Sequence, residues 1–116
     1  MLHDHRRELT PGLAAGAFNP VLEVQAHIRA SLQRTNRVLA PAGIARNLRA
    51  LNRHFRLGRQ EDAHEFLRCL LDGMQEACLK HVKPKPTPTS ETAESTFVHR
   101  IFGGRLRSQV KCSECK

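Results

Sequence analysis

Apolar residues recur at helical spacing from Val21 to Cys78 and alternate only near the end of the chain. Asn19 and Pro20 make a helix start, a capping side chain followed by a Pro at the first helical position. Val21, Val24, Ile28 and Leu32 then share one face, which predicts a helix over 19–33. Pro41 opens a second, predicted over 41–56. Ile44, Leu48, Leu51 and Phe55 lie on one side of it, with Arg46, Arg49 and Arg53 elsewhere. Gly58 breaks that pattern. A third helix is predicted over 59–79, with Ala63, Phe66, Leu67, Leu70, Leu71, Met74 and Cys78 as its apolar stripe.

The rest of the chain is patterned differently. Residues 1–18 carry Pro11, Gly12 and Gly16 without periodicity and are expected to form a disordered leader. After the helical region 19–82 comes a Pro-rich linker, 83–94. Its KPKPTPTS core cannot sustain a helix and favours extended, solvated backbone. TFVHRIF predicts a short helix or turn ended by Gly103 and Gly104. In RLRSQVKC, Leu106, Ser108, Val110 and Cys112 alternate with Arg105, Arg107, Gln109 and Lys111, which predicts a strand with one buried face.

Composition narrows the class. The 116 residues suit one small domain or part of a larger one, and the core must be aliphatic, because there are five Phe and no Trp or Tyr. Nineteen Lys and Arg against eleven Asp and Glu give a net charge of +8; fourteen of those bases are Arg, spread without a dense block. A small basic nucleic-acid-binding protein is therefore an alternative, though dispersed charge makes nucleic acid an unlikely partner. No run reaches the roughly 18 apolar residues of a membrane span, and the first residues do not form a secretory signal. Four Cys in such a context point to a reducing compartment, so the protein is expected in the cytoplasm or nucleus.

Candidate chemistry is concentrated in two places. Glu61, Asp62, Glu65, Asp72 and Glu76 put five of the eleven acids in the third helix, with Asp62 and Glu65 three residues apart on one face. Such a pair is either a solvated face or a receptor for a cationic partner, most readily Arg. His64-Glu65 does not extend to a zinc-protease motif, since position 68 is Arg. Cys112 and Cys115 form C-x-x-C after the alternating run, with the spacing of half a tetrahedral zinc site. A redox pair is the rival reading, but it expects a βαβ context.

GRQEDAHEFLRCLLDGMQEACL (58–79) resembles the Gln-Asp-Ala-x-Glu-Phe-Leu box of ubiquitin-specific proteases. STFVHRIFGGRLRSQVKCSEC (95–115) is similar to that family's lead into its zinc-ribbon fingers, and HIRASLQ and RNLRALNRHFRLG stand where it has the helices before the box. The resemblance implies a mainly α piece of an α+β, papain-like cysteine peptidase: thumb helices, then, in 95–116, the start of β-rich fingers. It implies thiol-dependent removal of ubiquitin from protein conjugates, with ubiquitin and ubiquitinated proteins as partners. Gln60, Asp62 and Glu65 match positions lining the channel for ubiquitin's C-terminal tail, and Cys112 and Cys115 would be two of four zinc ligands. The family's catalytic Cys and His boxes have no counterpart in these residues, so no catalytic residue is assigned and the chain alone is expected to be inactive. A non-catalytic ubiquitin-binding fragment is the alternative within the same resemblance.

Overall fold

The computed structural model describes residues 17–33 and 37–115. The leader expected over residues 1–18 therefore lies outside the described residues, apart from Ala17 and Phe18. Among the described residues every regular element is a helix: α1 (Pro20–Leu32), α2 (Ala42–Arg46), α3 (Leu48–Leu51), α4 (Ala63–Leu79), α5 (Glu91–Glu94) and α6 (Phe97–Phe102).

Helix α4 is the centre of the fold, with α1, α3 and α6 packed against it. The start of α1 is fixed locally: buried Asn19 caps it, accepting the Val21 N–H through Oδ1 at 3.0 Å. Val21, Met74 and Val98, from α1, α4 and α6, then meet in one core, flanked by Val24, Leu70, Leu71 and Phe97. Burying each such side chain is worth about 1.5–3 kcal/mol. Helix α4 can come this close because Gly73 has no side chain. A Cβ there would stand 3.1 Å from Leu51 Cδ2 and 3.6 Å from Pro20 Cγ. Phe55, 2% exposed, anchors the loop after α3, its ring 6.3 Å from that of Phe66 at 42°.

One α4 side chain also hydrogen-bonds to both C-terminal helices. Gln75 donates through Nε2 to the Ala93 carbonyl at 2.8 Å, and its Oε1 accepts from the Thr96 hydroxyl. Thr96 also caps α6, accepting the His99 N–H at 3.2 Å. Helix α5 occupies residues 91–94, inside the stretch predicted as linker, because Ser90 caps it by accepting the Ala93 N–H.

Several predicted elements are corrected. The single helix over 41–56 is two short ones. Asn47 Nδ2 donates to the Gly43 carbonyl at 2.7 Å, and the backbone breaks there at φ −113°. The third helix starts at Ala63 rather than Arg59, since residues 59–62 approach it in non-helical conformation. Its stripe is also shifted: Cys69 is buried, whereas Leu67 is 47% exposed. In α1 the apolar face continues past its cover, leaving Ile28 and Leu32 exposed. The strand predicted over 105–112 is absent. The segment is irregular and fully exposed, with Leu106 and Val110 in solvent, because no described strand is available to pair with its backbone. The start of β-rich fingers therefore has no β-structure here.

Candidate functional site

The acidic pair stands at the N-terminus of α4, and the chain reaches it through a tight turn. Anchored by Phe55, the backbone closes between Arg56 and Arg59, the Arg59 N–H reaching the Arg56 carbonyl at 3.3 Å. Gly58, third residue of that turn, has φ 81°, a conformation that costs any side chain energy. Gln60 and Glu61 follow, exposed and non-helical.

Asp62 is the N-cap. Its Oδ1 accepts the N–H groups of His64 at 2.7 Å and Glu65 at 3.0 Å, satisfying two donors that open any helix. The Glu65 N–H above all, with that of His64, holds the Asp62 carboxyl below its ordinary value of 3.8. Asp62 stays ionised in mild acid, and its second oxygen has no hydrogen-bond partner among the described residues.

Glu65 lies one turn further along, also exposed. Asn52, just past α3, orients it. The Asn52 Oδ1 accepts the His54 N–H at 3.0 Å, which leaves Nδ2 facing Glu65 Oε1 at 3.4 Å and the Cys69 sulfur at 3.6 Å. Sequence reasoning missed Asn52, because its contacts lie 13 and 17 residues away. The only local signal is an Asn after the last apolar residue of a helix. Asp62 and Glu65 thus project from one rigid helix start, a geometry able to receive guanidinium groups. Gln60 precedes them by two residues on the approach and is not drawn into their hydrogen bonds. The Cys69 thiol faces an amide, which cannot take a proton as a catalytic base would.

Cys112 and Cys115 are exposed and share one turn. The backbone N–H groups of Cys115 and Glu114 and the Cys115 thiol are directed at the Cys112 sulfur, pulling its thiol below the usual range. A turn that stabilises thiolate in this way suits a metal knuckle. Among the described residues no group of three or more His, Cys, Asp or Glu side chains converges. Cys69 is buried against Asn52, and Cys78 packs against the core, where burial pushes its thiol up.

No described helix is long and apolar enough to cross a membrane. The sequence profile described as ubiquitin carboxyl-terminal hydrolase matches residues 4–116. The chain is 44% identical over 102 residues to ubiquitin carboxyl-terminal hydrolase 42 of Homo sapiens, covering 88% of this chain and 8% of that protein. It is 43% identical over 98 residues to ubiquitin carboxyl-terminal hydrolase 23 of Arabidopsis thaliana, covering 84% and 11%. To probable ubiquitin carboxyl-terminal hydrolase 16 of Schizosaccharomyces pombe it is 51% identical over 76 residues, 66% of this chain and 16% of that protein. The chain therefore spans a minor part of the length of these relatives. Across nearly all of its own length, helices and acidic cap included, it belongs to the ubiquitin carboxyl-terminal hydrolase family, as a stretch of a ubiquitin-specific protease catalytic domain.

Proposed function

We propose that this chain supplies the thumb helices and the start of the fingers of a thiol-dependent deubiquitinase, and that the start of α4 holds the C-terminal tail of ubiquitin. The supporting observation is the pair at that start, in a member of this family: Asp62 is clamped by two backbone N–H groups and Glu65 faces Asn52. The tail of ubiquitin carries two arginines before its terminal glycines. Fixed carboxylates one turn apart receive such groups without having to order themselves first. Gln60 adds an amide at the mouth of the channel. The nucleophile and its base lie outside these residues, so the chain alone hydrolyses nothing. Cys112 and Cys115 contribute two thiolates to a structural zinc site, which would brace the fingers when bound.

Asp62 caps a helix as well as carrying charge, so Asp62→Ala alone would confound the two roles. Asp62→Asn keeps an accepting oxygen and removes only the charge. With residues 21–116 grafted into an active relative, Asp62→Asn and Glu65→Gln should each lower the specificity constant about tenfold or more, with Glu61→Gln nearly silent. With ubiquitin whose tail arginines are Ala, the double substitution should cost little further. Equal effects of all three single changes would defeat the assignment.

A further inference from the structure

Beside the acidic site lies a second feature of opposite sign. A pocket of about 280 Å³ opens next to the Arg56–Arg59 turn, lined by Leu48, Phe55, Leu57 and Phe66 and flanked by Arg56 and Arg59. The turn brings the two arginines to adjacent corners, since its closing bond joins their own backbones and Gly58 permits the required φ. Both side chains are exposed, and neither is ion-paired among the described residues. Glu61 also borders the pocket but forms no ion pair with either. Arg46, Arg49 and Arg53 on the preceding elements are likewise exposed and without ion pairs among the described residues.

We infer that this pocket docks an acidic peptide segment, an apolar side chain seating against Leu57 and Phe66 while flanking carboxylates pair with Arg56 and Arg59. Both halves of the site are needed for that ligand. Unpaired guanidiniums select carboxylate through charge-assisted, bidentate hydrogen bonds. The lining sets the aliphatic Leu48 and Leu57 beside Phe66, which suits an apolar amino-acid side chain better than a sugar–phosphate backbone. The partner is therefore a protein segment rather than a polynucleotide. The site uses neither Asp62 nor Glu65, although Glu61 and Ala63 on its border flank Asp62.

The test is fluorescence anisotropy on the full chain with a labelled Glu-Glu-Leu-Glu-Glu peptide, a Lys-for-Glu counterpart and a short single-stranded oligonucleotide. The acidic peptide should bind best, and more weakly as salt is raised. Arg56→Ala with Arg59→Ala should weaken it about tenfold or more, and Leu57→Ser should weaken it in unchanged salt conditions. All three side chains are exposed, so helical circular dichroism should confirm that the variants fold. Equal binding of the Lys peptide, or an unaffected double variant, would overturn the proposal. Tighter binding of the oligonucleotide, lost in the same variant, would overturn it in favour of a polynucleotide surface.

Discussion

Helix α4 and the segment from Gly103 to Cys115 carry equally regular apolar patterns, yet only the first is structured. A helix closes its backbone hydrogen bonds within itself, and α4 adds a capped start and three neighbouring helices to cover its stripe. An alternating segment satisfies nothing alone: each N–H and C=O needs a second strand. Leu106 and Val110 are fully exposed, and beyond the Gly103 N–H at the end of α6 the segment is joined to the helices by Arg105 to Glu94 at 3.2 Å, with Arg105 largely in solvent. Periodicity therefore states which face a segment would bury. Whether it is buried depends on what the rest of the molecule offers.

This contrast can be broken most directly at Phe55. Phe55→Ala should cost about 3–5 kcal/mol, a cavity beneath both the loop and α4, and should abolish the cooperative helical melt of so small a domain. An ordinary melt would mean that the core described around α4 is not the stabilising one. Cutting the link to the C-terminal helices should cost less. Gln75→Leu removes two hydrogen bonds and leaves the Ala93 carbonyl only the Thr96 hydroxyl at 3.3 Å, a loss of about 1–3 kcal/mol in urea unfolding.

A smaller effect is expected at the cap, with a definite pH dependence. Since folding lowers the Asp62 pKa, ionised Asp62 stabilises the fold above the ordinary carboxylate range, and that contribution is lost as pH falls through the lowered value. Melting temperature followed downward from neutral pH should show this loss in the parent and not in Asp62→Asn, with Asp62→Ala lower throughout. An unchanged acid limb in Asp62→Asn would remove the capping charge from the account. The smallest effects belong to the exposed segment. Leu106→Ser and Val110→Ser should shift stability by no more than about 0.5 kcal/mol. A larger loss would show that this segment has a covered face in solution.

Much of the helical layer was legible in residues. Asn19-Pro20 starts α1 as the sequence predicts, and Leu70, Leu71 and Met74 point to the core as their spacing requires. The break at Asn47 was hidden, because an Asn in a helical pattern gives no sign that its amide will take the carbonyl four residues back. The acidic pair was visible as spacing alone. Its geometry was not, since Asp62 acts through the backbone of residues ahead of it and Asn52 reaches Glu65 only through the folded chain. The segment after Gly103 misled for the opposite reason: its pattern names a face but not the surface that would meet it.

Gln75 has a consequence for how such a chain can vary. Its amide holds both the Ala93 carbonyl and the Thr96 hydroxyl, so the position of α5 and α6 is specified by α4 and not by the path of the residues between. The intervening segment, from Lys83 to Thr89, crosses the surface with an exposed pair, Lys85 to Glu76 at 3.8 Å, and no regular structure. Doubling the length of a flexible loop costs only about 0.6 kcal/mol. This is accordingly where inserted residues should be tolerated, and where descendants of the same gene could lengthen, shorten or re-spell the chain without moving the helices it joins.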